Sequence, residues 1–318
     1  MSEPLITIGI TCYDEGDWLL ECWESVLSQT DRRWVAVLVM DATEHQGTRE
    51  IFEELEHPRL RKYAMPTRMG PYPVRNKAFE LTETPYHFYL DGDDQLVPES
   101  VAVVLESFAK HPEAGFVYGD YECFGSRSDI LRFPSEVTKG DFVRTQPTPG
   151  PCAYAKRVWE QLGGFASELA LGNADYDFLI GAAEAGIKGY HCGQVLYRYR
   201  VRGKSVSSSY EQRYHQTHEI IVRRHPLFFS DPRLRSSFLA LGYKRAAQAN
   251  HAAGDLKQAS KLALAALRHG MQDHELWSLA LQGKMPAWTC RGLHRACRFG
   301  ARSLRKWRSS IRSEDNGF

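Results

Sequence analysis

The sequence predicts an α/β protein: a mixed, mostly parallel sheet flanked by helices over residues 1–209, followed by an α-helical C-terminal region. Three observations predict it. Short, β-branched apolar runs alternate with amphipathic helical stretches through the first third of the chain, the pattern of βαβ units. Several of these runs stop abruptly at polar residues, as strands do where an open sheet carries its loops. After about Tyr210 the strand-like runs cease and the apolar spacing is helical throughout.

Leu5–Cys12 is the first strand and stops at Tyr13-Asp14-Glu15-Gly16. From Asp17 to Leu27, Trp18, Leu19, Cys22, Trp23, Val26 and Leu27 fall on one helical face. Trp34–Met40 is a second buried strand, ending at Asp41. A helix over about Gly47–Leu55 and a short strand at Leu60–Ala64 follow. Pro71–Val74 opens a helix running to about Leu81. His87–Leu90 is a strand, Glu99–Ala109 a helix and Gly115–Tyr118 a strand. The middle is less regular. Tyr121–Phe133 reads as a hairpin, Pro147–Pro151 as a rigid loop and Cys152–Lys156 as a short strand. A helix starts at Phe178 and closes at Gly186, with Asp177 available as its cap. Lys188–Cys192 and Val195–Val201 read as two strands. Helices are expected over Glu211–Arg224, Ser236–Ala253, Asp255–Arg268 and Asp273–Leu281. Alanines spaced along the second and third of these, with Gly254 between them, resemble one tetratricopeptide-like hairpin. About three such repeats are needed for a free-standing array. Residues 210–285 are therefore expected to pack on the α/β domain as an appendage.

With 318 residues, 43% of them hydrophobic and 25% charged, the chain is globular and large enough for one sizeable domain and a smaller one. Seven scattered cysteines without a CxxC pair read as free thiols in a reducing compartment. Neither a signal peptide nor an apolar run long enough to span a bilayer is visible, so a cytoplasmic location is expected. The net charge of +1 conceals an asymmetry. From Leu276 onward nine Lys/Arg face two acids, whereas the rest of the chain carries 31 basic and 37 acidic residues. The tail over 286–318 mixes these cations with Trp288, Phe299 and Trp307, the composition of an amphipathic helix lying on an anionic membrane surface.

The richest chemistry lies at Leu90-Asp91-Gly92-Asp93-Asp94, where an apolar strand runs into three carboxylates. Carboxylates so crowded repel unless a cation sits among them. Hard oxygen ligands at this spacing suit Mg²⁺ or Mn²⁺, ions that bridge protein carboxylates and substrate phosphates. Other motifs fail. No G-x-G-x-x-G follows the first strand, disfavouring nicotinamide and flavin chemistry. Gly203-Lys204-Ser205 lacks the leading Gly of a phosphate loop, with Arg198 in its place. His218-Glu219 lacks the second His of a zincin, with Val222 there instead. No Gly-x-Ser-x-Gly elbow supports a serine hydrolase.

Seven stretches stand in a fixed order: Ile10-Thr11-Cys12-Tyr13-Asp14-Glu15, Ser25–Thr30, Val39-Met40-Asp41-Ala42-Thr43, Val74-Arg75-Asn76, Asp91-Gly92-Asp93-Asp94, Gly163-Gly164-Phe165 with Asp175-Tyr176-Asp177, and Tyr199-Arg200 with Ser205-Val206-Ser207. In this order they resemble the family 2 inverting glycosyltransferases, over about residues 5–207. Four positions depart from the family pattern: Asp14, Met40, Ala174 and Arg202 stand where Asn, Asp, an acid and His are usual. The resemblance implies a GT-A nucleotide-diphospho-sugar transferase fold and a sugar donor such as a UDP- or dTDP-sugar. It implies a glycan or lipid-linked acceptor in cell-surface polysaccharide synthesis, made at the inner membrane face, and no nucleic acid partner.

The residue roles come with it. Thr11, Tyr13, Glu15, Asp41, Arg75, Asp91, Gly92, Arg200, Arg202 and Lys204 would bind the nucleotide sugar. Tyr13 would stack on the base, Asp41 accept from a base N–H and Glu15 reach the ribose. Asp41 as a helix N-cap is the simpler alternative. Asp91 and Asp93 would hold the metal across the two phosphates, as a Lewis acid on the leaving diphosphate. An acceptor hydroxyl is a poor nucleophile until a carboxylate takes its proton. By motif position that carboxylate is Asp175, with Asp177 its structural neighbour. Arg198, Arg200, Arg202 and Lys204 alternate along a strand and would share one face, where a diphosphate can meet guanidinium groups in bidentate fashion. Two other classes are compatible with parts of the sequence: a degenerate transferase fold acting as a scaffold through its helical C-terminus, and a sugar nucleotidyltransferase. The intact acidic tip and Asp175 oppose the first. The acidic loop after the first strand, where a Gly-rich basic loop is usual, opposes the second.

Overall fold

A computed structural model describes residues 3–169, 172–202 and 210–282. Strands β1 (Ile6–Cys12), β2 (Trp34–Met40), β3 (Leu60–Ala64) and β4 (Tyr86–Asp91) pair in parallel, connected by helices α1 (Trp18–Leu27), α2 (Gln46–Glu54) and α3 (Pro71–Glu80). The chain continues through β5 (Gln95–Leu96), α4 (Ser100–Lys110), β6 (Phe116–Gly125), β7 (Ile130–Leu131), β8 (Ala153–Ala155), α5 (Lys156–Leu162), α6 (Ala174–Glu184) and β9 (Gly189–Val201). The sheet order is β3-β2-β1-β4-β8-β6-β9-β5, with β7 on β6. Strand β8 runs antiparallel to both its neighbours, and β9 runs parallel to β6.

Every residue of β1 is buried, as a strand covered on both faces must be. Its Ile6, Ile8 and Ile10 pack into the main core, while Val37 and Val39 of β2 meet Val74 and Ala78 of α3 on the other face. The register decides where function gathers. Cys12 pairs with Met40 and Thr11 with Asp91, so β1, β2 and β4 end side by side. The residues that follow, Tyr13–Glu15, Asp41 and Gly92–Asp94, therefore emerge at one edge. Backbone bonds from Asp41 N to the Cys12 carbonyl and from Gly92 N to the Thr11 carbonyl, each 2.8 Å, fix their starting directions.

Four expectations change. The strand expected at Gly115–Tyr118 extends to Gly125, and the two runs before Val201 are one strand; a bulge near Tyr118 and Asp120 lets the two strands pair throughout. At Gly119 any Cβ would lie 2.3 Å from the Gln194 carbonyl oxygen, so only glycine admits that approach. The two-residue β5 and helix α5 were not foreseen, both being too short for a periodicity to show. Helix α6 starts at Ala174, four residues earlier than expected, so Asp175 and Asp177 lie in its first turn and Asp177 is no cap.

The helical region comprises α7 (Tyr214–Arg224), α8 (Pro232–Ala252), α9 (Leu256–Arg268) and α10 (His274–Gln282). Asp231 and Asp255 cap α8 and α9, accepting from Arg233 N (2.8 Å) and Gln258 N (2.9 Å). Ile221, Phe228, Phe229 and Phe238 belong to the core of the sheet domain, whereas Ala246, Leu262, Ala263, Leu276 and Leu279 form a second core. One buried ion cluster ties α7 to α6. Asp177, 2% exposed, accepts from Arg224 Nε (3.0 Å) and His225 Nε2 (2.9 Å), and the other His225 nitrogen faces Glu184 at 3.2 Å. The basic tail over 286–318 lies outside the described residues.

Candidate active site

A cavity of about 600 Å³ opens at the edge where β1, β2 and β4 end. Thr11, Tyr13, Glu15, Asp41, Arg75, Asp91, Asp93, Asp175, Arg200 and Arg202 all line it. Gly92 is not on its surface. A Cβ there would come 3.0 Å from the Thr11 carbonyl oxygen, so the glycine lets the acidic tip lie against β1. Lys204 lies outside the described residues.

The three carboxylates of the tip have separate environments. Asp91 accepts both Arg75 Nη2 contacts at 2.7 Å and the Thr11 hydroxyl at 3.2 Å. Asp93 pairs with Arg202 at 2.9 Å. Burial, and then the charge of Asp91, push its carboxyl above the usual range. Asp94 is 1% exposed and accepts from the Tyr197 hydroxyl (2.9 Å) and Arg200 N (2.7 Å), so it braces the tip against β9. Among the described residues no group of three or more His, Cys, Asp or Glu forms a metal cage. Asp91 and Asp93 are two carboxylates on the cavity wall, each facing an arginine. That arrangement fits a divalent cation arriving with a diphosphate that supplies the remaining oxygens.

Arg200 and Arg202 approach from β9. Arg200 donates to the Asp93 carbonyl (2.7 Å) and to Glu21 (2.6 Å), and its guanidinium lies 5.0 Å from the Trp18 ring. Arg202 lies 5.2 Å from the same ring. Trp18 thus holds both guanidinium planes beside the acidic tip. Arg198 is turned to Gln95 (2.5 Å) and Glu122 (3.2 Å), away from the cavity lining.

On the β1–β2 side, Asp41 is neither free nor a helix cap. Its two oxygens accept from Met69 N (2.6 Å) and Gly70 N (2.8 Å) and so fix the start of α3, while His45 caps α2. The Arg68 guanidinium lies 4.2 Å from the Tyr13 ring. Burial pushes the Glu15 carboxyl up to about 7, even though the Tyr13 backbone N–H donates to it. A carboxyl whose folded pKa is raised adds stability below its ordinary value near 4.5, and that stability is lost as pH rises through about 7. We therefore expect the wild type to lose more melting temperature between pH 5 and pH 8 than Glu15→Gln does, the difference being the Glu15 contribution. Parallel melting curves for the two proteins would refute this.

At the far side of the cavity stands Asp175. The Tyr72 hydroxyl donates to its Oδ1 (2.8 Å) and Gln146 Nε2 to its Oδ2 (3.1 Å). Tyr72 and Arg75 are one turn apart on α3, and the Arg75 guanidinium lies 5.1 Å from the Tyr72 ring. A continuous polar chain therefore runs from Asp91 through Arg75 and Tyr72 to Asp175. Asp177 does not line the cavity; it faces Arg224 and His225. Sequence reasoning missed Tyr72, Arg68 and Tyr210, which line the cavity, and Gln146, which donates to Asp175. For Tyr72 the i, i+3 spacing to Arg75 was the available signal. The other three sit in loops or at a helix start, where spacing carries no such information.

The family profile described as "Glycosyl transferase family 2" matches residues 7–156. The teichuronic acid biosynthesis glycosyltransferase TuaG of Bacillus subtilis, itself described as putative, is 24% identical over 65% of this chain and 83% of its own length. A chondroitin synthase of Pasteurella multocida is 24% identical over 70% of this chain, which spans only 23% of that protein. Among solved structures, S. aureus TarS 1-349 in complex with UDP-GlcNAc superposes with a TM-score of 0.63 at 16% identity, covering 93% of this chain and 92% of that one. The mannosyltransferase PcManGT of Pyrobaculum calidifontis, in complex with GDP-Man and Mn²⁺, gives 0.53 at 19% identity, over 89% and 85% of the two chains.

Proposed function

From the premise that this chain is a glycosyltransferase, carrying a family 2 domain on a GT-A fold, we propose that it moves a sugar from a nucleotide-diphosphate donor to an acceptor hydroxyl, with inversion, in cell-surface polysaccharide synthesis. One observation carries the reading: a single cavity holds Asp91, Asp93, Arg200 and Arg202 at one end and Asp175 at the other. The relatives' names support a polysaccharide product. The nucleotide sugars in the solved neighbours, UDP-GlcNAc and GDP-Man, support a nucleotide-sugar donor.

Tyr13 and Glu15 would take the base and ribose. Burial pushes the Glu15 carboxyl up to about 7, and a carboxyl in the cavity wall can meet a ribose hydroxyl. Asp91 and Asp93 would hold Mg²⁺ or Mn²⁺, which supplies Lewis-acid stabilisation of the leaving diphosphate. Arg202 and Arg75, paired with these carboxylates, would meet the same phosphates. Asp175 would accept the acceptor's proton while the new bond from its oxygen to the anomeric carbon forms. The bond from that carbon to the diphosphate oxygen breaks on the opposite face, and the electron pair leaves with the diphosphate.

Calorimetry with UDP- and dTDP-sugars, with and without Mn²⁺, tests this directly. The expected result is metal-dependent binding of one donor, which Asp93→Ala weakens by at least about tenfold. Absence of binding by every nucleotide diphosphate would favour a scaffold role. For location, we propose cytoplasmic residence with peripheral contact at the membrane's inner face through the basic tail over 286–312. Among the described residues no helix is long and apolar enough to cross a membrane. The chain should cosediment with anionic liposomes, and deletion of 286–318 should abolish this; unchanged cosedimentation would refute the contact.

A further inference from the structure

A second pocket of about 280 Å³ is lined by residues 131–134, by Asp141 and by residues 144–147. Gln146 joins it to the first cavity. It lines the second pocket, while its Nε2 donates to the Asp175 Oδ2 at 3.1 Å. The segment after it is held rigidly. The Gly150 carbonyl accepts from Tyr154 and the Pro151 carbonyl from Tyr121, each at 2.9 Å. A Cβ at Gly150 would sit 2.3 Å from the Asp175 Oδ2, so this backbone passes directly against the carboxylate. Between Gln146 and Gly150, Thr148 is 3% exposed, and its hydroxyl has no hydrogen-bond partner among the described residues.

The pocket is bordered by arginines from three separate elements. Arg132 follows β7, and its side chain is 76% exposed, with one contact to Asp120 at 3.2 Å. Asp120 is shared with Phe133 N and His191, so it neutralises Arg132 only in part. Arg144 is 82% exposed and 3.9 Å from Asp141, whose other oxygen is taken by Thr138. Arg245 of α8 reaches Thr145 at 3.5 Å, bringing the helical region to the rim. Arg132 and Arg144 both line the pocket, and a guanidinium can meet a carboxylate or phosphate in bidentate fashion.

We propose that this pocket is the acceptor subsite and that it takes an acceptor bearing an anionic group, a phosphate or a carboxylate, held by Arg132 and Arg144. The proposal rests on the transferase reading above and deepens it. Direct displacement requires the acceptor to enter opposite the departing diphosphate. With the diphosphate at Asp91 and Asp93 and the base at Asp175, the space beyond Gln146 is where a chain ending in the reactive hydroxyl would extend. The same placement gives the helical region a role at the site, since Arg245 comes from it.

The test uses the full chain saturated with UDP and Mn²⁺, titrated by calorimetry with three probes of similar length: a glucuronate-terminated oligosaccharide, a glycerol-phosphate oligomer and a neutral oligosaccharide. One anionic probe should bind and the neutral one should not, and which anionic probe binds separates carboxylate from phosphate. The Arg132→Ala/Arg144→Ala double variant should weaken that binding by at least about tenfold and leave UDP affinity unchanged. Both side chains are largely in solvent, so the variant should fold; its melting temperature checks this. Equal binding of the neutral probe, binding of neither anionic probe, or full retention by the double variant would overturn the subsite while UDP binding leaves the transferase reading standing. Absence of UDP binding would overturn that reading, and the subsite with it.

Discussion

Asp175→Asn is expected to lower sugar transfer by roughly 10²- to 10⁴-fold, the range a positioned general base contributes, while donor affinity stays as in the wild type. The amide keeps the volume and one oxygen of the carboxylate, so Tyr72 or Gln146 retains a partner, but it cannot take a proton at neutral pH. The effect should therefore fall on kcat and leave nucleotide binding by calorimetry unaltered. Asp177→Asn offers the contrast. That residue is shielded from the cavity by its contacts to Arg224 and His225, so its effect on transfer should follow stability and not chemistry. Undiminished transfer by Asp175→Asn would remove this residue from the mechanism. Loss of donor binding together with transfer would assign it to the donor site.

Asp177→Ala should destabilise the fold by about 3–5 kcal/mol, since removing one member of a buried ion pair leaves its partners without compensation. At this size that corresponds to a fall in melting temperature of roughly 4–8 °C. The cluster is the main polar tie between α6 and α7, so the helical region should loosen first and limited proteolysis should begin there. The pH dependence carries a further sign. Burial disfavours the His225 imidazolium, but the hydrogen bonds and charges of Asp177 and Glu184 outweigh it, so its pKa rises above 6.5. A histidine with a raised folded pKa contributes stability fully below 6.5 and loses it as pH rises through the folded value. Wild-type stability should thus decline from pH 6 towards pH 8, and Asp177→Ala should decline less. Equal slopes for the two proteins would show that His225 is not the titrating group.

Strands β1, β2 and β4 are legible in the sequence because they are buried on both faces and so appear as nearly uninterrupted apolar runs. The acidic tip was legible because three carboxylates in four residues are chemically conspicuous. Strand β9 was read as two because Gly193, at φ +73°, interrupts a run that the bulge keeps in one ladder. The start of α6 was read late because Asn173 adopts a left-handed conformation, and its side chain bonds to Thr217 instead of capping the helix. Neither fact shows in a local pattern.

The division is clearest at the acidic tip and at the candidate base. The sequence by itself determined that Asp91, Asp93 and Asp94 follow a buried strand, that Asp175 and Asp177 stand two apart, and that cationic residues alternate from Arg198 to Lys204. Periodicity and composition are local properties, and these are local statements. Only the tertiary structure decided which of these groups face the cavity. It braced Asp94 against Tyr197 in the cavity wall, turned Asp177 to Arg224 and Arg198 to Gln95, and brought Gln146 to Asp175 across 29 positions of sequence. The physical reason is that the direction of a side chain depends on the register of strands and the packing of helices that are distant in sequence, and those are settled only when the sheet closes over its core.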